Sequence, residues 1–144
     1  MSESLESDPV AKTVDPNRPS TAGFVTGWVL TILPGAFLLF SGVMKFIQPG
    51  KPEDVAKYLD PIGWKLEQLH GLGYLELACV ILYLIPRTSV LGAILVTGYL
   101  GGIIATHVRI GDYGIALFVI IGVLIWLGLY FRYPKLRRML PFNL

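Results

Sequence analysis

A carboxylate, an amine and an imidazole stand out because nearly all their neighbours are apolar. Glu76 occurs in GYLELACVILYLIPR, Lys45 in FSGVMKF and His107 in LVTGYLGGIIATHVRIGD. A lone carboxylate in hydrocarbon must be protonated, paired or hydrated. Glu76 falls near the middle of its run, with ~15 Å of helix on either side. Its helical face also carries Leu69, Leu72, Gly73, Cys79, Val80 and Tyr83. Lys45 shares a stripe with Ser41, Leu38 and Pro34. Its stem can either snorkel to the membrane surface or reach inward to Glu76. His107 shares a stripe with Ile104, Ile103, Leu100 and Val96. That stripe predicts a bundle-facing imidazole, able to titrate or hydrogen-bond near neutral pH. A carboxylate and an imidazole in one apolar pocket could exchange protons with a ligand carbonyl or hydroxyl. With Tyr99 and Ser41 adding polar atoms, the expected ligand-pocket residues are Lys45, Ser41, Glu76, Tyr99 and His107.

A second polar group is more ordinary. Arg109 and Asp112 are three residues apart at a helix end, where they can pair and cap it. Glu67 and His70 form an i,i+3 pair on another surface of the second apolar run. Their spacing lacks a dense ligand set such as HExxH, so no metal site is expected. Cys79 is the only cysteine, which excludes an intrachain disulfide and fits a small apolar filler. The chain has no P-loop, CxxC, haem-ligand pair or nucleophile triad. It is therefore not expected to be an enzyme on its own.

The elements that must hold these groups are apolar helices. Of 144 residues 53% are hydrophobic and 15% charged, against about 25% charged in soluble domains. The apolar residues cluster in runs long enough to cross ~30 Å of hydrocarbon. Four spans are expected, at about 23–47, 66–85, 89–107 and 113–131. Pro49, Gly50 and Pro52 end the first, IPRTS parts the second from the third, and RIGDYG turns the third into the fourth. The short connections make neighbouring helices antiparallel. Pro34 predicts a kink near Leu30. Between the first two spans, KPEDVAKYL opens with Pro52 and the acids Glu53 and Asp54. This predicts a short amphipathic helix at the interface, with Val55, Tyr58 and Leu59 on one stripe and Asp60-Pro61 ending it. Gly98, Gly101 and Gly102 form small-xxx-small pairs that let a neighbouring helix approach the third span.

The expected fold class is thus an all-α membrane protein, an antiparallel bundle of four transmembrane helices with one interfacial helix. Residues 1–21 read as a disordered tail and 132–144 as a basic tail flanking the 22–131 membrane domain. Arg132, Lys135, Arg137 and Arg138 hug the last span, which predicts cytoplasmic termini and a plasma-membrane location. A net charge of +2 is too small for a nucleic-acid surface. The expected partners are the lipid bilayer, subunits of a membrane complex or further copies of the chain.

Three stretches together resemble the DoxX-like family of small four-helix membrane proteins: FSGVMKF, GYLELACVILYLIPR and LVTGYLGGIIATHVRIGD. The resemblance runs from about Trp28 to Phe131. It implies Lys45, Glu76 and His107 as matched positions. The family is named for a subunit of an archaeal terminal quinol oxidase and thiosulfate:quinone oxidoreductase. Some relatives are tied to oxidative-stress or thiol complexes, and distant ones act as membrane chaperones or cargo receptors; most members have no established activity. The function expected from residues and resemblance together is a small subunit or accessory protein binding a quinone-like or other amphipathic ligand. The alternatives are a non-enzymatic assembly or structural subunit and, less well suited to four short helices, a proton-coupled transporter. No cofactor is evident, and the candidate ligands are a quinone or a lipid.

Overall fold

A computed structural model describes residues 21–47, 52–112 and 114–139 of the chain. The expected N-terminal tail up to residue 20 and the last five residues lie outside the described residues. The described residues are helical throughout apart from turns. They form α1 (Thr21–Ile47), α2 (Pro52–Leu59), a 3-10 turn (Asp60–Ile62), α3 (Leu66–Leu84), α4 (Ser89–Arg109), α5 (Ile115–Arg132) and α6 (Pro134–Met139). The helix α6 falls within the segment assigned from sequence to a basic tail. Thr21, also assigned to a tail, already belongs to α1. Three helices, α1, α4 and α5, are long and apolar enough to cross a membrane. At 19 residues α3 is one longer than the 18-residue α5, but it carries Glu67, Gln68, His70 and Glu76.

The ends of the helices follow from local chemistry. At the start of α3 the Gln68 side chain accepts the Lys65 backbone N–H at 2.8 Å, satisfying a donor that no helical carbonyl can reach. Pro86 stops α3, and Thr88 Oγ1 donates to the Leu82 carbonyl at 2.8 Å. Gly111, at φ +74°, turns the chain out of α4, and Asp112 Oδ1 accepts the N–H of Gly114 at the head of α5. The helix α1 remains continuous through Pro34.

The helices α1, α3, α4 and α5 pack around one another, each lying against two of the others. Contacts run antiparallel: Gly42 meets Leu77 while Gly35 meets Leu84, and Tyr83 lies against Gly92 while Glu76 meets Tyr99. The inward stripe of α1 is mostly small: Gly27, Thr31, Pro34, Gly35, Leu38 and Gly42. Its large residues point out, with Leu33 64% and Phe40 63% exposed. Small inside and large outside is the pattern of helices in lipid, where close backbone approach replaces the hydrophobic effect between helices. The core consists of Leu38, Cys79, Val80, Tyr83, Ala93, Val96, Leu100, Ile121, Ile125 and Leu129. The closest crossing is between α3 and α4, where a Cβ on Gly92 would overlap the backbone of Tyr83.

One expectation about packing is corrected. Gly98, Gly101 and Gly102 are exposed, and nothing lies within 4 Å of where a Cβ would stand on any of them. The glycines that seat α4 and α1 against their neighbours are Gly92, Gly27, Gly35 and Gly42 instead. Spacing alone cannot say which face of a helix a small-xxx-small pair occupies. On α4 the core-facing stripe is Gly92, Ala93, Val96, Tyr99 and Leu100, roughly opposite Gly98 and Gly101.

Candidate functional site

Glu76 stands at the meeting of α1, α3 and α4 and is 1% exposed. Its Oε2 lies 2.5 Å from Lys45 Nζ on α1 and accepts the Tyr99 hydroxyl of α4 at 3.1 Å. Lys45 Nζ also donates to Ser41 Oγ at 3.0 Å, one turn back on its own helix. Of its two alternatives, Lys45 thus takes the inward one. The approach depends on two glycines. A Cβ on Gly42 would stand 3.5 Å from Glu76 Oε2, and one on Gly73 would stand 3.3 Å from Lys45 Cβ. Small residues there let the helices close until amine and carboxylate meet. The other oxygen, Glu76 Oε1, is buried with no hydrogen-bond partner among the described residues. A buried acceptor without a donor costs about 1–3 kcal/mol, more when charged. That oxygen can therefore accept one further hydrogen bond, from a ligand hydroxyl or a water.

His107 belongs elsewhere. Two turns beyond Tyr99 on α4, its Nδ1 lies 2.9 Å from the Ile103 carbonyl, which can only accept, so Nδ1 carries the hydrogen. Its Nε2 is 3.8 Å from Asp112 Oδ2, and its ring packs against Phe118 of α5. The structure therefore groups Lys45, Ser41, Glu76 and Tyr99 and leaves His107 outside that hydrogen-bonded set.

The second polar group is also divided. The Arg109 guanidinium donates to the Ile62 carbonyl at 2.6 Å, clasping the 3-10 turn against the end of α4. Asp112, expected to pair with Arg109, instead caps Gly114 and faces His107. The turn competes for the arginine because Gly63, at φ +74°, leaves room beside its guanidinium. Glu67 and His70 form no ion pair; His70 stacks on Phe46 with ring centroids 5.6 Å apart. No cluster of metal-binding side chains occurs among the described residues. A depression of about 340 Å³ opens beside Arg109, lined by Gly63, Trp64, Gln68, Ala105, Thr106 and Arg109.

A third constellation was not expected from the sequence, where Arg132 was assigned to the basic tail. Arg132 ends α5 and is only 6% exposed. Its guanidinium lies over the Trp28 ring, 3.9 Å from the centroid, and donates to Thr31 Oγ1 at 3.2 Å. Its other terminal nitrogen is 3.5 Å from the Tyr133 hydroxyl, which donates in turn to the Pro86 carbonyl. The signal was present in α5, whose buried residues Ile121, Ile125, Gly128, Leu129 and Arg132 recur at helical spacing. Arg132 is the polar end of that stripe.

The arrangement is that of an apolar helical protein with one buried acid–amine pair. No curated protein and no solved structure matches the chain significantly. A family model described as the DoxX-like family matches residues 29–128, which include Lys45, Glu76, Tyr99 and His107 but not Arg132. With most of its length inside that match, the chain belongs to the DoxX-like family.

Proposed function

We propose that this protein is a four-span membrane subunit or accessory protein whose Glu76 site holds the polar head of a quinone-like or other amphipathic ligand. In this reading α3 is the fourth span, carried by its neighbours, and α2 lies at the membrane surface with Glu53, Asp54 and Lys57 outward. The basic residues Arg132, Lys135, Arg137 and Arg138 favour cytoplasmic termini and the plasma membrane. The observation that carries the proposal is the uneven state of the Glu76 carboxylate. One oxygen is held by Lys45 and Tyr99, and the other is buried without a donor. A quinol-type hydroxyl supplies such a donor, and the apolar faces of α1, α3 and α4 suit a hydrophobic ring or tail. His107 then has no direct part in holding the ligand.

The test is binding of a short-chain quinol and its quinone to the purified protein in nanodiscs. Glu76→Gln should weaken quinol binding about tenfold, the value of one hydrogen bond to a charged group. Absence of saturable binding across a broad quinone panel would refute the proposal. A second reading rests on the same residues: Lys45 and Tyr99 tie α1 and α4 to α3, which suits a non-enzymatic assembly or structural subunit. Under that reading Glu76→Gln lowers stability and recovery of a membrane partner, and quinols do not bind.

A further inference from the structure

Arg132 is a guanidinium about nine-tenths buried, and no carboxylate among the described residues lies at ion-pair distance from it. Around it stand two hydroxyls and two aromatic rings, all neutral. A guanidinium has five N–H donors, and these contacts engage two of its nitrogens. The C-terminal carbonyls of α5 offset part of the charge but cannot match an anion. The surroundings fix the level at which the anion must come. Phe24 packs edge-on to Trp28, Tyr130 edge-on to Phe131, and Tyr133 follows at once. Such aromatic groups concentrate where hydrocarbon gives way to headgroups. Arg87 and Lys135, both exposed at the same end of the molecule, add positive charge nearby.

We propose that Arg132, seated between Trp28 and Tyr133, is a phosphate-binding site, and that the phosphate is the headgroup of an anionic phospholipid. The guanidinium fork matches two phosphate oxygens, as an ammonium does not. Trp28 covers the apolar face of the guanidinium, Thr31 fixes one edge, and the lipid's acyl chains run down the exposed apolar surface of α1, which includes Val25, Val29 and Leu33. The site is independent of Glu76, which lies on the far side of Tyr83 along α3.

The full chain is released into mild detergent with phosphatidylglycerol and examined by native mass spectrometry, alone and against Arg132→Gln. Retained phosphatidylglycerol should fall about tenfold in the variant, with phosphatidylcholine little retained by either. Equal retention by a folded Arg132→Gln would overturn the proposal. Inorganic phosphate is the second arm. If millimolar phosphate displaces the lipid from the wild type, the site stands with a free ion as its source; if the lipid resists, the lipid is the source. Should Arg132→Gln fail to fold, Trp28 emission decides, read in a protein with Trp64→Phe and Trp126→Phe. A saturable change with phosphatidylglycerol in phosphatidylcholine nanodiscs supports the site, and no change overturns it.

Discussion

The molecule buries charge in two places and neutralises it in two ways. Glu76 lies deep among α1, α3 and α4 and is met by a full opposite charge from Lys45. Arg132 lies at the end of α5 and is met by hydroxyls, an indole face and the end of a helix. The difference follows depth. In the middle of a low-dielectric bundle only an ion pair or a proton offsets a carboxylate. At a helix end, the partial charges of the last carbonyls, hydroxyls and an aromatic face share the task. The deep pair should therefore tolerate the loss of a partner far less well than the shallow cation.

That ordering can be broken by experiment. Lys45→Met leaves Glu76 buried without its amine and should cost ~3–5 kcal/mol in reversible unfolding from detergent micelles. Glu76→Gln combined with Lys45→Met should recover much of the loss, because no charge remains. A double variant no better than the single one would mean that the pair matters for shape rather than charge. Arg132→Gln should cost less, ~2 kcal/mol for a desolvated cation over an indole. A loss as large as that of Lys45→Met would erase the distinction by depth. Tyr99→Phe removes one hydrogen bond to a carboxylate that keeps its amine, and should cost ~1–2 kcal/mol. Gly98→Ala touches neither site and should change the melting temperature little, within ~1 kcal/mol and towards greater stability. Gly92→Ala, where a methyl meets the Tyr83 backbone, should be far worse than its neighbour six residues on.

Much of the fold was legible because membrane helices announce themselves by length and apolar content. The helices that start at Leu66 and Ser89 begin where the apolar runs were expected to begin, and the short helix starts at Pro52 as its proline and acids predicted. The end of α4 did not, since the helix continues past His107 to Arg109. The pair of Lys45 with Glu76 was one of two open possibilities, and the glycines that decide it, Gly42 and Gly73, act through backbone spacing that a sequence does not display. His107 faces the bundle as its stripe predicted, but a stripe gives a side and not a partner: the ring meets Phe118 of α5 rather than the Glu76 group. Arg132 was read by its neighbours in the basic tail rather than by the period of the helix it ends.

The crossing at Gly92 has a mechanical consequence. There α3 and α4 touch backbone to backbone, while at the opposite end Gln68 of α3 and Thr106 of α4 line the walls of a depression. The pair is built like tongs, with the pivot near Tyr83 and the jaws near Trp64. Between pivot and jaws, the Tyr99–Glu76 bond acts as the catch. Spreading the two helices at that end would therefore load the Tyr99–Glu76 bond before it reached Tyr83.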